Sequence, residues 1–562
     1  MEAIMKKGRF FDELLCLTKE LVSFQSISPS AEETAMADKV AGLIRTIPYF
    51  AEHPEDLRFI PLPGDPWGRK NVAALLRGTG GNADTVICHG HFDTVPVDDY
   101  GALSGTACSC DELARRFSEM DLPPSMAADL ASGEWLFGRG ACDMKSGDAI
   151  LLVLMKYLAD RRDRLAGNVL FLFTCDEESE NNGMMAAAPV IEEWCRQDGL
   201  RPVLALNNDY VGPLYEGDPN RYVYTGTVGK VLLSFCVIGR ETHVGRIYEG
   251  ISASVLAGRL ADAIDSNPDF ADSYDGEYSQ PPALLKLKDL KVGYNVQTAR
   301  SAFLYFNALL FEKDVKALLE EVKSLAQKEM ERYLADLEAK QRAFCHRSGE
   351  AFLPLDASPQ IITYEELVRL CTEKGIDAEG KAAAMAEDFL SRGMDKRDIA
   401  CRIAESLCDA LHLKGPLAVL FLGAPYCPAN TMRREVPFEK ETEETILHLV
   451  EEVSASSGEP FSVRHFFPCI SDASYFKMDD SDASVAAISK NFPAMDVLYP
   501  IPLNAIRTLS VPTVNMGVYG KGCHTWEERL YMPYSFNVLP ELILRTILRF
   551  TGSDADLAAE EK

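Results

Sequence analysis

The sequence contains no apolar stretch of about 20 residues, so nothing in it reads as a bilayer-spanning helix. Residues 1–11 carry Lys6, Lys7 and Arg9 with no apolar run behind them, which is not the pattern of a secretory leader. The fifteen cysteines are an odd number without regular spacing, which excludes a disulfide framework and fits thiols of a reducing cytoplasm. Positive charge is scarce: 57 Lys and Arg against 85 Asp and Glu give a net charge of −28, which disfavours nucleic acid and anionic membrane as partners. Internal repeats and low-complexity segments are absent as well. A soluble cytoplasmic protein is the expectation, and 562 residues allow two or three domains with separate cores.

What the sequence does contain is a recurring construction. Residues 86–95, Val-Ile-Cys-His-Gly-His-Phe-Asp-Thr-Val, form an apolar strand that ends in two histidines and an aspartate. In open α/β sheets, sites are built at the carboxyl ends of strands. His91 and Asp93 share one side of an extended backbone, so one can bind a metal while the other orients it. The pattern returns at residues 168–174, a strand followed by Cys175-Asp176-Glu177-Glu178. It returns again at residues 203–206, followed by Asn207-Asn208-Asp209, and at residues 511–516, followed by a glycine-rich turn that delivers His524. Between the first two, residues 138–145 (Gly-Arg-Gly-Ala-Cys-Asp-Met-Lys) precede an apolar-periodic helix over about 147–158. Any one of these could be a solvated turn. Five in an α/β pattern point to a metal site.

Helices alternating with buried strands up to about residue 209 predict a mostly parallel sheet. From about residue 222 the texture changes to strand (223–238), helix (251–264) and two strands (283–290 and 302–310), the order of a small α+β domain. A long amphipathic helix over 314–344 and further helical material over 364–413 follow, and the α/β texture then resumes to residue 550.

In order, His-x-Asp-Thr-Val-Pro, Gly-Arg-Gly-x-x-Asp-Met-Lys-x-Gly, Asp-Glu-Glu and Gly-x-x-Gly-x-x-x-His-Thr-x-x-Glu resemble the dinuclear-zinc peptidase and deacylase family. That family includes aminoacylase, glutamate carboxypeptidase and succinyl-diaminopimelate desuccinylase. The length, residues 468–476 and the enlarged middle resemble its bacterial arginine-utilisation members in particular. The resemblance implies an α/β, mostly parallel-sheet metallohydrolase catalytic domain (1–217 and 433–562). It is interrupted by an α+β lid and dimerisation domain (218–432) with an extra helical insertion at about 330–412.

The resemblance also implies roles. Asp143 would bridge two divalent ions, zinc in the first place with cobalt or manganese as alternatives. His91 and Asp209 would complete one site, with Asn207 and Asn208 competing for the place of Asp209, and Glu178 and His524 would complete the other. Carboxylates and imidazoles suit zinc, and a shared carboxylate allows two ions about 3.5–4 Å apart. Asp93 would hold the ring of His91, Glu177 would move the proton, and Asp176 would be structural. Glu528, or Glu527, would support His524. His243, in Gly-Arg-Glu-Thr-His, would reach from the lid into a partner subunit and stabilise an oxyanion, which implies a homodimer.

Departures from the family pattern bear on substrate. Asn295-Val296-Gln297-Thr298 keeps an Asn for substrate binding, but the later lid stretch Tyr305-Phe306-Asn307-Ala308 lacks the arginine of a carboxylate clamp, for which Arg300 is the only nearby replacement. The expected reaction is metal-dependent hydrolysis of an amide bond in a small peptide or N-acyl amino acid. A non-catalytic binding or regulatory protein on the same scaffold is the alternative. An iron site of His91, Asp93 and His524 would leave Asp143, Glu177 and Glu178 without a role.

Overall fold

The computed structural model describes residues 7–553, 555 and 558. The chain forms two compact units. One comprises residues up to Thr227 with Asn430–Met478 and the segment from Pro502, and the other comprises Val228–Ala429 with Asp479–Ile501. Among the described residues no helix is long and apolar enough to cross a membrane, and all fifteen cysteines are free thiols.

The first unit is built on an eight-stranded mixed sheet. Its order is Leu57–Pro61, Lys70–Arg77, Asn168–Thr174, Asp84–His91, Arg201–Asn207, Thr513–Asn515, Arg221–Tyr224, Phe461–Arg464. The four strands from Asn168–Thr174 to Thr513–Asn515 run parallel to one another, and the outer two of them pair antiparallel with Lys70–Arg77 and Arg221–Tyr224. Asn168–Thr174 is buried along its whole length, as expected of a central strand rich in Val, Leu and Phe. The helix Lys145–Ala159 is almost entirely buried and packs on Asp84–His91. Gly90 permits that approach, because a Cβ there would stand 2.7 Å from the Asp148 carboxylate and closer still to the Met144 side chain.

The second unit has a five-stranded sheet in the order Ala283–Asp289, Ser301–Leu310, Gly229–Ile238, Leu417–Cys427, Gln360–Thr363. Its helices include Ala253–Ile264, the 34-residue Val315–Ser348, and the trio Tyr364–Glu373, Ala378–Ser391 and Lys396–Ala410. The expected helical insertion therefore contains a strand, Gln360–Thr363, which joins the sheet in parallel with Leu417–Cys427. The strand expected over 223–238 is three strands: Arg221–Tyr224 belongs to the first unit's large sheet, Gly226–Thr227 pairs with Asn430–Thr431 in the same unit, and Gly229–Ile238 belongs to the second unit's sheet. The segment Asp479–Ile501 carries no strand, and its helix Asp482–Asn491 packs on the long helix Val315–Ser348. This passage leaves the α/β unit to which the sequence pattern had assigned it.

Candidate metal centre

Three adjacent parallel strands end on one side of the first unit's sheet, with His91 paired to Thr174 and His89 paired to Asn207. His91 is the last residue of its strand. Glu177 and Glu178 lie in the turn after Asn168–Thr174, and Asp209 lies two residues past Arg201–Asn207. Asp143 comes from the loop that precedes the helix Lys145–Ala159, where Gly140 holds φ at +79°. His524 sits in the loop between the short strands Gly520–Lys521 and Arg529–Tyr531.

These side chains converge. Asp143 Oδ1 lies 3.2 Å from His91 Nε2, and Asp143 Oδ2 lies 3.0 Å from His524 Nε2. Glu178 Oε2 is 3.0 Å from His524 Nε2, and Asp209 Oδ1 is 3.7 Å from His91 Nε2. Two ligand groups result, His91 with Asp143 and Asp209, and Asp143 with Glu178 and His524, the ligand atoms of each lying within 4.8 Å of one another. Asp143 belongs to both and turns one oxygen to each. Glu178 Oε1 is buried without a hydrogen-bond partner. Imidazole and carboxylate donors in two groups with one shared carboxylate fit a pair of divalent cations.

The electrostatics fit as well. Burial pushes Glu178 up to about 7, with the Asp143 charge adding to it. Burial also raises Glu177 well above the carboxylate range, and the charges of Asp209, Asp472 and Glu178 reinforce this against His91. His524 is pushed up to about 10 by its contacts with Asp143 and Glu178, against burial. Burial would depress His91, but Glu177, Asp143, Asp209 and Asp93 hold it well above its ordinary value. Carboxylates outnumber cationic groups in a desolvated pocket, a balance that bound cations correct.

Supporting residues are fixed from behind. Asp93 accepts the backbone N–H of Glu177 on Oδ1 at 3.2 Å and that of Glu178 on Oδ2 at 3.1 Å. The ring of His91, which the sequence pairs with the Asp93 carboxylate, has its Nδ1 3.2 Å from the backbone carbonyl of Asp93 and 3.6 Å from the carboxylate. The cause is local. Phe92 still donates to the Thr174 carbonyl, so Asp93 lands opposite the start of the Cys175–Glu178 turn. Glu528, expected to support His524, is bonded to the Asp143 loop: its Oε1 accepts the N–H groups of Cys142 and Asp143 at 3.1 and 3.2 Å, while Oε2 accepts from Arg139 at 2.7 Å. Asn207 donates to Ser471 Oγ and Asn208 to the Gly147 carbonyl, which leaves Asp209 as the residue of that trio facing His91. Asp176 is taken up by Arg69 and the Asn182 backbone.

Sequence reasoning gave no role to Asp472, although residues 468–476 stood out. This buried carboxylate is bonded to Thr174 and Asn181, and burial pushes it up to about 7. Its charge bears on Glu177. The available signal was an Asp-Ala-Ser turn in a stretch with neither helical nor strand period.

His243 and Asn295 lie in the second unit. His243 is exposed, its Nδ1 accepts from the Gly245 N–H at 3.1 Å, and it bridges to Gln297. Asn295 is exposed, with Oδ1 accepting from the Gln297 N–H at 3.1 Å. The two segments are therefore neighbours. Arg300 is ion-paired to Asp409.

Residues 87–488 match Peptidase family M20/M25/M40. The chain is similar to Protein RocB of Bacillus subtilis (strain 168), 34% identical over 543 residues, which is 96% of this chain and 94% of that one. It is 32% identical over 544 residues to Uncharacterized protein YqjN of the same strain, covering 95% and 96%. A succinyl-diaminopimelate desuccinylase of Methylobacterium radiotolerans is 28% identical over 260 residues, 46% of this chain and 57% of that one. Among solved structures, a tripeptidase from Staphylococcus aureus shares the fold, with a TM-score of 0.51 at 13% identity over 96% of this chain and 99% of that one.

Proposed function

We propose, from the premise that this chain belongs to Peptidase family M20/M25/M40, that it cleaves an amide bond of a small peptide or an N-acyl amino acid with two divalent metal ions, zinc first among them. The observation that carries this reading is Asp143, shared between two ligand groups with Glu177 beside them. His91 and Asp209 would hold one ion, Glu178 and His524 the other. When bound, such ions polarise a carbonyl and make water a nucleophile near neutral pH.

Glu177 takes the proton from the attacking water and hands it to the leaving amine. Three features support it. Its Oε2 lies 3.9 Å from His91 Nε2; its environment favours carrying a proton; and its backbone is pinned by Asp93. Asp209 and Asp472 add negative charge around it and so strengthen it as a proton acceptor.

His243 and Asn295 are our candidates for contacting substrate, on residue type and on the family resemblance. In this reading His243 acts on an oxyanion across a homodimer formed through the second unit. The Arg300–Asp409 pair occupies the guanidinium that could otherwise clamp a substrate's free carboxylate, so Arg300 is not proposed as such a clamp. The reaction is placed in the cytoplasm.

The test is amine release by zinc-loaded protein from a panel of dipeptides, tripeptides and N-acyl amino acids, N-acyl arginine and arginyl dipeptides included. Glu177→Gln should lower turnover by about 10²–10⁴ while metal content stays at two ions per chain. Full metal loading with no turnover of any panel member by the wild type would reject catalysis in favour of a binding or regulatory role.

A further inference from the structure

Three segments that deliver candidate metal ligands also form the wall of a second cavity in the same unit. Trp135 opens the strand Trp135–Phe137, which leads to the Asp143 loop. Lys521 and Arg529 flank the loop that carries His524, and the turn containing Tyr215 follows Asp209. One short sheet ties these roots together, with Lys521 paired to Arg529, Arg529 to Phe137, and Tyr531 to Trp135. The cavity has a volume of about 760 Å³, and none of its lining residues is a candidate metal ligand. That volume is in the range of small-molecule sites.

Its chemistry is layered. The Trp135 and Tyr531 rings lie 5.0 Å apart. Lys521 Nζ stands 4.5 Å from the Trp135 ring, and the Arg221 guanidinium stands 4.1 Å from Tyr519 and 5.3 Å from Tyr531. Lys521 Nζ at 3.2 Å and Arg529 Nε at 2.8 Å share a single carboxylate oxygen of Asp129, and Arg529 also meets the Glu527 carboxylate at 3.8 Å, so Lys521 is the cation with only a shared partner. Arg221 meets Glu459 at 3.1 Å and the Pro219 carbonyl at 3.0 Å, yet its buried Nε has no acceptor. Asp218 does not compete for these cations, since its carboxylate already accepts from Leu214, Asn220 and Tyr222. That Nε lies out of reach of the cavity, so what a carboxylate could meet is the ammonium of Lys521 and the outer edge of the Arg221 guanidinium, both on the lining. Exposed Glu216 on the lining disfavours a second negative charge.

We propose that this cavity is a second small-molecule site, which takes an organic monocarboxylate with a flat apolar body. Its occupancy changes how firmly the neighbouring loops hold metal. The carboxylate meets Lys521 and Arg221, and the body lies among the aromatic rings.

The probe is phenylacetate, titrated calorimetrically into zinc-loaded and metal-stripped wild type and into Lys521→Ala. Saturable binding is expected in both wild-type forms, weakened about tenfold in Lys521→Ala, as loss of one charged hydrogen bond predicts. Saturating phenylacetate should change the rate of zinc release to a chelator about fivefold or more in the wild type. Absence of binding at millimolar phenylacetate, or equal affinity in Lys521→Ala, overturns the site. Binding only to the zinc-loaded form places phenylacetate on the metals and also overturns it. An unchanged zinc release rate overturns the coupling. Binding to the metal-stripped form does not depend on the hydrolase reading, so the two can fail separately.

Discussion

Asp93 Oδ1 accepts the backbone N–H of Glu177 at 3.2 Å, across 84 residues of chain. A carboxylate at the end of one strand thereby holds the backbone of Glu177, the proposed base, at the end of the adjacent strand. Asp93→Asn keeps one acceptor oxygen but loses the charge and one of the two hydrogen bonds. Turnover should fall about 10- to 100-fold, with metal affinity falling less than it does in His91→Ala. Steady-state rates and metal titration on both variants check this, and an Asp93→Asn enzyme with wild-type turnover would refute it.

Asp143 belongs to both ligand groups, so its loss should differ in kind from the loss of a ligand to one group. Asp143→Ala should abolish binding of both ions, and His91→Ala only one. Elemental analysis of dialysed protein reads this directly, and an Asp143→Ala protein that keeps two ions would refute the sharing.

Metal should stabilise the fold. An ion that binds only the native state adds about 2.7 kcal/mol when its free concentration is a hundred times Kd. The melting temperature should therefore rise with added zinc in the wild type and stay flat in Asp143→Ala. An equal rise in both would place the zinc elsewhere.

Metal affinity should climb with pH. His524 is pushed up to about 10 by Asp143 and Glu178, so the metal-free ring carries a proton at neutral pH, and a metal accepts only the neutral ring. The sign for folding follows from the same shift. The folded value lies above the unfolded one of about 6.5, so this cluster stabilises the metal-free fold fully below that pH, and the contribution is lost as pH rises toward 10. Calorimetry of zinc binding at pH 7 in buffers of different ionisation enthalpy should show proton release as heats that differ between buffers, and the same observed heat in every buffer would contradict it.

Glu528 and Arg139 are both fully buried, 2.7 Å apart. Glu528→Ala leaves the guanidinium with Asp99 as its remaining carboxylate partner and releases the Cys142 and Asp143 amides, at a cost of about 2–4 kcal/mol. Chemical denaturation measures this loss, and one well under 1 kcal/mol would mean that the pair is not structural.

Much of this site was legible because its parts are local. An apolar run stopping at His91 or at Thr174 announces a strand end, and the residues just past it are candidates without further knowledge. What links the parts was not legible. The bond from Glu528 to the Asp143 amide spans 385 residues and uses a backbone donor that every residue possesses. Asp472 was visible as a residue but not as a neighbour of Glu177. The segment 479–501 was misplaced because a short helix looks the same in sequence whichever unit it packs on. Its place on the Val315–Ser348 helix is a tertiary fact.

The strand Thr513–Asn515 lies inside the first unit's sheet, between Arg201–Asn207 and Arg221–Tyr224. A ribosome delivers its two neighbours hundreds of residues before it. During synthesis the Asn207 edge of the sheet must therefore wait, unpaired, while the whole second unit emerges. A nascent chain stopped before residue 513 would hold most of the ligand-bearing strand ends but neither His524 nor the strand that closes the gap.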